Sequence, residues 1–423
     1  MFTRRGFLGV TGSASLASAS ALGQNQTSRK RIAIVTTTWH YLTHAQHMGD
    51  RFLVGYPHEG KWHRPEIDVV SLFVDQRNTN DQKRDQSTER AETFGFKVYP
   101  TIAQTLRAGT NALAVDGVLL IGEHGKYDRN EKGQVLYPRY EFFEQIVNVF
   151  REDRRSVAVF NDKHLSYSFE KAKQMVQWSK ELRFPLMAGS SLPVTFRLPS
   201  VEMPFQCDVD EALMVGVGGS DAMDFHAMEA MQCMLERRKG GEVGVKSVQL
   251  IDGEEVWEAG NQGRFSNELL AAALSRSNEL QGISRSESKP QNLLRDGRIQ
   301  QMVAKPSAYF IEYRDGLKAT LLMLNGAVGD YTFAAKIKGQ EKPISTLFYL
   351  PPTPNVTYSA ELMNRVEQMF LTEKASYPVE RTLLVSGMLE SCLESRLRSN
   401  RRMDTPHLNV AYQVANESYF ART

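Results

Sequence analysis

The sequence predicts an α/β protein with an N-terminal Rossmann-like, doubly wound parallel sheet and a C-terminal α+β domain with a largely antiparallel open sheet. Strands that are apolar throughout alternate with helices in the first part, which is typical of a parallel sheet covered on both faces. The second part has a hairpin signal and several strands, followed by two long helical segments. The chain has 423 residues, which is more than a single hydrophobic core usually supports.

The first domain is predicted over residues 31–193, with short strands rich in β-branched residues. Those strands are Arg31–Val35, Ile67–Val74, Asp116–Ile121, Val157–Phe160 and Pro185–Gly189. Helical stretches such as 102–108 and 140–150 lie between them. The carboxyl ends of the strands form the ligand crevice in sheets of this kind, so residues directly after each strand are candidate site residues.

The second domain is predicted over residues 194–423. Its expected strands are 211–219, 246–251, 331–337 and 344–350. The run 308–324 alternates around Arg314-Asp315-Gly316, which predicts a hairpin. Helices are expected at 222–238, 360–375 and 379–397, packed on one face of the sheet.

Charge, hydropathy and cysteine content argue against several classes of protein. The 51 Lys and Arg residues nearly balance the 49 Asp and Glu residues, unlike the basic surplus of a nucleic-acid-binding protein. No apolar run reaches the roughly 20 residues that span a bilayer, so we expect no membrane-spanning helix. Cys207, Cys233 and Cys392 are too few for a disulfide framework or a cysteine-based zinc site.

The N-terminus has the pattern of an export signal. Arg4-Arg5 precedes a weakly apolar stretch, rich in Gly, Ala and Ser, that runs to Gly23. This pattern is typical of twin-arginine signal peptides, and the alternative is a flexible N-terminus that happens to contain two arginines. We therefore expect residues 1–23 to be a signal peptide and the mature protein to be periplasmic or otherwise exported.

The segment after the first strand is where a dinucleotide-binding fingerprint would place its glycines. Those positions hold Thr36, Thr38 and Tyr41, whose side chains stand where a pyrophosphate requires bare backbone. Asp75, after the second strand, is the expected ligand of an adenosine ribose, although residues 49–65 look inserted and lengthen the interval. The usual glycine-rich loop is therefore absent from this sequence.

Motifs in the rest of the chain resemble those of one oxidoreductase family. They occur in the family's order, and they are His44 three residues after Tyr41, Tyr99-Pro100-Thr101-Ile102, Asp162-Lys163-His164, Phe196-Arg197-Leu198-Pro199, His226-Ala227-Met228-Glu229 and Glu394-Ser395. Over nearly the whole mature chain the sequence resembles the glucose-fructose oxidoreductase/inositol dehydrogenase superfamily (Gfo/Idh/MocA). The resemblance implies NAD(P)-linked hydride transfer from a sugar, a sugar derivative or a polyol.

The same resemblance implies roles for individual residues. Lys163 would lie where substrate and nicotinamide meet, and His226 would be the acid or base, with Glu229 setting its tautomer from one helical turn away. The implied cofactor-binding positions are Thr36, Thr38, His44 and Asp75. The expected substrate-binding positions are His124, His164, Arg197 and Asp224. Family members usually associate through the open face of the second-domain sheet, here residues 246–350, so we expect a homo-oligomer.

The nine histidines are unevenly distributed, since seven of them precede residue 165 and most follow predicted strand ends. We expect one opening to be ringed by His40, His44, His124 and His164, joined by His226. His40 and His44 are four residues apart, so on a helix they would share a face and could bind a divalent metal ion.

Three classes of function remain open from the sequence. The first is an exported NAD(P)-dependent oxidoreductase acting on a sugar or polyol. The second is a carbohydrate-active lyase or hydrolase with a histidine-rich crevice, with or without a metal ion. The third is a carbohydrate-binding protein that has kept the fold and lost both dinucleotide binding and catalysis.

Overall fold

The structure is a computed structural model that describes residues 29–77, 84–278, 294–295, 297–351 and 357–422. The predicted export signal, residues 1–23, lies outside these ranges. Within them, every helix is too short or too polar to cross a membrane.

In chain order the strands are β1 (Lys30–Thr36), β2 (Tyr56–His58), β3 (Lys61–His63), β4 (Ile67–Val74), β5 (Lys97–Val98), β6 (Gly117–Ile121), β7 (Ala158–Asp162), β8 (Leu186–Gly189), β9 (Phe196–Leu198), β10 (Val209–Gly216), β11 (Val245–Asp252), β12 (Ser307–Tyr313), β13 (Lys318–Met323), β14 (Tyr331–Ile337), β15 (Ile344–Tyr349) and β16 (Met403–Asp404). The α-helices are α1 (Asp50–Val54), α2 (Ser87–Phe94), α3 (Ile102–Arg107), α4 (Arg139–Glu152), α5 (Phe169–Glu181), α6 (Asp221–Leu235), α7 (Glu254–Asn261), α8 (Asn267–Leu274), α9 (Arg298–Met302), α10 (Tyr358–Thr372) and α11 (Val379–Leu397). A π-helical turn, Ala45–Gly49, leads into α1.

The first sheet has the strand order β5-β4-β1-β6-β7-β8, and its pairs are all parallel. Ile32 and Ile34 of β1 pack into one hydrophobic cluster while Ala33 and Val35 pack into another, and all four are fully buried. Helices α3 and α4 cover one face, and α1 and α10 cover the other. The predicted parallel sheet covered on both faces is confirmed.

Helix α10 reaches the first sheet from the later part of the chain. Its Phe370 lies so close to β6 that a Cβ on Gly117 would be 2.6 Å from the ring. The apparent insertion at residues 49–65 forms α1 and a hairpin of β2 and β3, which attaches to α10. Tyr56 donates to Glu367 at 2.6 Å and His63 Nε2 lies 2.8 Å from the same carboxylate. The insertion therefore anchors α10 to the first sheet.

The second sheet has the order β16-β11-β12-β13-β10-β14-β15-β9 and is antiparallel except for the β10–β13 pair. The predicted hairpin is formed by β12 and β13. Helices α6 and α11 pack on one face, as predicted, but α7 and α8 also cover part of the opposite face. The prediction of helices on one face alone was incomplete, because Leu213, Val215 and Ala334 form a second buried cluster with these short helices.

Candidate active site

A cavity of about 370 Å³ lies at the carboxyl ends of β6, β7 and β8, between the first sheet and the start of α6. This volume is near the lower end of the range for small-molecule sites, about 300–1,000 Å³. Its ionisable and hydroxyl-bearing lining residues include His44, His47, Glu123, His124, Arg129, Tyr137, Asp162, Lys163, Ser190, Ser191, Ser220, Asp221, His226, Tyr331 and Tyr358. The site therefore combines segments from both sheets.

Two of these side chains leave strand ends on left-handed backbone. His124 follows β6 with φ of 69°, and Lys163 follows β7 with φ of 64°. Residues other than glycine seldom adopt such angles, and those that do cluster at functional sites. The Lys163 amide donates to the Gly189 carbonyl at 3.2 Å, which holds this turn against the end of β8.

His44 and Asp162 form a buried pair, with 2.6 Å between His44 Nδ1 and Asp162 Oδ2. Burial lowers the pKa of His44 well below its usual range, and the nearby Lys163 ammonium adds to the effect. Burial raises the pKa of Asp162, while Lys163 and Arg139 oppose that rise. A neutral His44 donates its Nδ1 proton to the carboxylate, so Nε2 is left as a proton acceptor.

Two more imidazoles surround His44. The ring centroids of His47 and His124 lie 4.9 and 5.0 Å from that of His44. Burial lowers the pKa of both rings, so they are neutral at neutral pH. His47 Nδ1 and His124 Nε2 are buried without a hydrogen-bond partner, as is one oxygen of Asp221. Unsatisfied buried polar atoms at a cavity are available to ligand hydroxyls.

Lys163 belongs to a chain of alternating charges. Its Nζ lies 3.8 Å from one oxygen of Glu123, and the other oxygen pairs with the fully buried Arg139. Burial alone would raise the pKa of Glu123, but Lys163 and Arg139 outweigh it and lower the pKa. Glu123 is therefore a carboxylate at neutral pH, and it holds the Lys163 ammonium at the cavity.

His226 lies in the second turn of α6 and is held by Ser190. Ser190 Oγ is hydrogen-bonded to His226 Nδ1 and also accepts from the Leu192 amide at 3.1 Å. We assign the Ser190 proton to the bond with Nδ1, which places the proton of the neutral His226 ring on Nε2, facing the cavity. Burial lowers the pKa of His226 well below its usual range, and the positive charge of the nearby Lys163 lowers it further.

The predicted role of Glu229 in setting this tautomer is wrong. Its carboxylate accepts from the Ser190 amide and, at 2.6 Å, from the Thr382 hydroxyl of α11. Glu229 is fully buried and does not line the cavity. It therefore acts on His226 only indirectly, by positioning the backbone of Ser190.

Glu229 should make stability fall as the pH rises. Burial raises its pKa to about 7. A raised folded-state pKa contributes stability that is full below the unfolded pKa and is lost as the pH rises through about 7. Glu229→Gln should remove that loss, which is about 3 kcal/mol at most. Chemical denaturation of both proteins from acid to mildly alkaline pH checks this, because other titrations cancel in the difference. If the free energies of unfolding of the two proteins changed with pH in the same way, the prediction would be contradicted.

Comparisons with known proteins bear on the fold. The sequence matches no protein-family model and no curated protein. Among solved structures it is similar to GenD2 from gentamicin A biosynthesis in complex with NAD, with TM-score 0.54 and 13% identity over 94% of this chain and 99% of that one. It is also similar to myo-inositol dehydrogenase from Lactobacillus casei in complex with NAD(H) and myo-inositol, with TM-score 0.52 and 11% identity over 92% of this chain and 99% of that one. A third similar structure is apo scyllo-inositol dehydrogenase from Lactobacillus casei, with TM-score 0.51 and 10% identity over 89% of this chain and 98% of that one.

This chain shares its fold with these dehydrogenases, as the resemblance in its sequence predicted. In that fold the resemblance assigned cofactor binding to the end of β1. Thr36 and Thr38 are buried there, and the Thr36 hydroxyl donates to the Ile121 and Thr38 carbonyls instead of facing the cavity. Asp75 is exposed and accepts from Tyr127 at 2.7 Å. Of the four implied cofactor-binding residues, the structure brings only His44 into the cavity.

The premise of the predicted metal pair is also wrong. Residues 38–43 are a loop and helical structure begins at His44, so His40 and His44 do not share a helical face. His40 Nδ1 lies 3.2 Å from the Tyr41 carbonyl, while His44 pairs with Asp162. Among the described residues, no group of three or more His, Cys, Asp or Glu side chains is arranged to hold a metal ion.

The predicted substrate-binding residues divide between the cavity and the protein interior. His124 lines the cavity. His164 is instead buried beside Arg139, 3.2 Å away, and Asp224 accepts from Tyr309 and from the Gly219 amide. Arg197 is buried in an ion pair with Glu202 at 2.8 Å. The structure therefore brings none of these three side chains to the cavity, because each has an internal partner.

Several lining residues were not predicted as site residues. Asp162 is the last residue of β7, Glu123 lies two residues after β6 and Ser190 directly follows β8, so their positions near strand ends were a usable signal. His47 and Asp221 carried no comparable signal, since only the packing of the π-helical turn and of α6 brings them to the cavity. Strand-end position was therefore the most informative feature of the sequence for locating the site.

Proposed function

We propose that the protein is an enzyme that acts on a small sugar or polyol by acid–base catalysis in this cavity. One observation carries the proposal: two buried histidines line the same cavity, and their Nδ1 atoms are held by chemically different partners, the Asp162 carboxylate and the Ser190 hydroxyl. His44 donates Nδ1 to Asp162 and presents an accepting Nε2, whereas His226 accepts from Ser190 and presents a donating Nε2. A neutral imidazole can accept a proton at physiological pH, and a second neutral imidazole can hold a substrate oxygen through its N–H group.

The remaining lining residues fit this chemistry. His44 would take a proton from the substrate, and the Lys163 ammonium would stabilise the negative charge that develops. The His226 Nε2–H would donate a hydrogen bond to a substrate oxygen. His47 Nδ1, His124 Nε2 and the free oxygen of Asp221 supply acceptors and donors for several hydroxyl groups. The myo-inositol bound by a protein of the same fold supports a polyol-like ligand.

A second candidate is NAD(P)-linked oxidation of such a ligand at the same cavity. It is favoured by the two solved structures of this fold that contain NAD or NAD(H). Both candidates need a proton acceptor beside the substrate, so they share the cavity and differ in where the electrons go. The residues at the end of β1, described above, do not offer a dinucleotide the usual loop.

The test is a thermal-shift screen of neutral sugars and polyols, including myo-inositol, against the purified protein. A ligand that binds the folded state raises the midpoint of thermal unfolding. We expect stabilisation in the wild type and its loss in Lys163→Met. His407→Gln is the matched control, because His407 contacts Ser391 outside the cavity. Equal stabilisation of all three proteins would place the ligand elsewhere and overturn the proposal.

Ser190→Ala should lower kcat about 10- to 100-fold on a substrate found in that screen, because His226 loses the bond that fixes its tautomer and orientation. KM should change little. Ser190→Thr retains the hydroxyl and should restore most of the activity. NMR of the imidazole nitrogens checks the mechanism directly. If His226 keeps its Nε2 proton in Ser190→Ala, the assigned role of Ser190 is incorrect.

Two further proposals rest on the sequence. We propose export by the twin-arginine route, which cell fractionation of the full-length protein tests.

We also propose that copies of the chain associate through the second sheet. A groove of about 500 Å³ lies on that sheet and is lined by residues that include Arg264, Phe310 and Glu312, and we expect this surface to form the contact. Light scattering of the wild type measures the oligomeric state.

A further inference from the structure

We infer that the loop after β1, residues 37–43, holds the catalytic histidines in place of a dinucleotide's phosphates, so that the reaction runs without a nicotinamide cofactor. The inference rests on the proposed function and specifies its reaction class. Three independent features of the described residues carry it: the amides of the loop, the packing of the loop, and the contacts of Asp75.

The first feature is that four of the seven loop amides, those of Thr37, His40, Leu42 and Thr43, already have acceptors within the protein. A Rossmann phosphate site needs free backbone N–H groups at the start of the first helix. Here the His40 amide donates to Thr43 Oγ1 at 3.2 Å, and the Leu42 amide donates to Gln46 Oε1 at 3.1 Å. The Gln46 amide also donates to Thr43 Oγ1, at 3.4 Å. Thr43 and Gln46 therefore occupy donors that would otherwise face an anion.

The second feature is that the loop is packed into the protein. Trp39 is fully buried against Gly49, where a Cβ would lie 2.6 Å from the indole. Its carbonyl accepts from the Gln86 amide at 2.8 Å, and the Thr37 hydroxyl donates to the Glu123 carbonyl at 2.6 Å. The loop is thus fixed in the protein interior on both sides of Thr38, one of the positions where the fingerprint has glycine so that phosphate can approach the backbone.

The third feature is that the expected ribose ligand has another partner. Tyr127, from the segment after β6, donates to Asp75 at 2.7 Å. Gln76, which follows Asp75, is hydrogen-bonded to the same segment. Its side chain donates to the Lys126 carbonyl at 3.0 Å and accepts from the Lys126 amide at 2.9 Å. The segment after β6 therefore lies over the end of β4, where the ribose would be recognised.

These contacts serve the histidines instead. The Thr43 carbonyl accepts from the His47 amide at 3.1 Å, and the Gln46 side chain also donates to Asp50 at 3.1 Å. The capped loop thereby fixes the start of the helical turn from which His44 reaches Asp162. Because the loop cannot also bind phosphates, the histidines are left with reactions that involve no net oxidation.

Elimination of water from a polyol derivative is one such reaction. His44 would take the C–H proton, and the freed electron pair would form the carbon–carbon double bond. The adjacent C–O bond would break, and the oxygen would leave as water with a proton from the Lys163 ammonium, while the His226 Nε2–H donates a hydrogen bond to that oxygen. Atoms and electrons then balance within the substrate, and no external oxidant is required.

The experiment uses the protein expressed from its full-length sequence in its own cell type and purified in the form found there. It is analysed by native mass spectrometry and by chromatography of nucleotides released on denaturation. Isothermal titration with millimolar NAD⁺ and NADP⁺ follows on the same sample. We expect no co-purified dinucleotide and no saturable heat. Co-purified dinucleotide, or saturable binding of either probe, would overturn the inference. The polyol screen is read separately, so failure of the proposed function and failure of this inference give different results.

Discussion

His44→Gln should lower kcat by about 10²- to 10⁴-fold, the range in which a positioned acid or base contributes to catalysis. The variant keeps a polar side chain of similar reach but cannot accept a proton at neutral pH. Asp162 would remain buried with only an amide as its partner. The measurement is steady-state turnover of the sugar or polyol identified by the thermal-shift screen, together with the unfolding midpoint of the variant.

His40→Gln is the matched control for this prediction. His40 lies in the same loop, four residues earlier, and does not line the cavity. We expect its kcat to stay close to that of the wild type. Similar losses in both variants would mean that the two histidines act together, as in the metal-binding hypothesis, and would contradict the role assigned to the His44–Asp162 pair.

The pH dependence of turnover should reflect the lowered pKa of His44. Burial keeps the pKa of this imidazole well below 6.5, and the positive charge of Lys163 adds to the effect. His44 therefore stays neutral and able to accept a proton as the pH falls through the usual histidine range. We therefore expect kcat/KM to fall on the acid side only at pH values below the usual histidine range. An acid limb centred at 6.5 or above would show that His44 is not the base.

Arg139→Met should destabilise the protein by about 3–5 kcal/mol, the usual cost of removing one partner from a buried ion pair. Arg139 is fully buried, pairs with Glu123 and contacts His164 at 3.2 Å. The variant leaves the Glu123 carboxylate with Lys163 as its nearest cation, 3.8 Å away. Denaturant-induced unfolding measures the loss of free energy.

A surface pair provides the control for Arg139→Met. Arg155 pairs with Asp116 at 2.9 Å, but their side chains are 46% and 30% exposed. Arg155→Met should therefore cost less than about 1 kcal/mol. The Arg139→Met deficit should also shrink as the pH falls, because protonation of Glu123 removes the unpaired charge. Equal effects of the two substitutions, or a deficit independent of pH, would contradict the importance of this buried pair.

The elements of the fold were readable from the sequence because local patterns report burial. β1 and β6 are apolar at every position that packs against a helix, and such runs predict strands buried on both faces. Lys163 and His226 were assigned to the site through short motifs, and the structure brings both to the cavity. The position of α10 was not readable, because a helical pattern specifies an apolar face without specifying which sheet covers it.

The sequence by itself therefore determined the order of strands and helices, the absence of a glycine-rich loop, and the strand ends at which polar side chains gather. Only the tertiary structure decided which of those side chains meet. His44 and Asp162 are 118 positions apart, and they pair because β1, β6 and β7 are neighbours in one sheet. Ser190 rather than Glu229 contacts His226, because helical spacing defines a common face but not the partner beyond it. Contacts of this kind depend on chain segments distant in sequence, so local pattern cannot encode them.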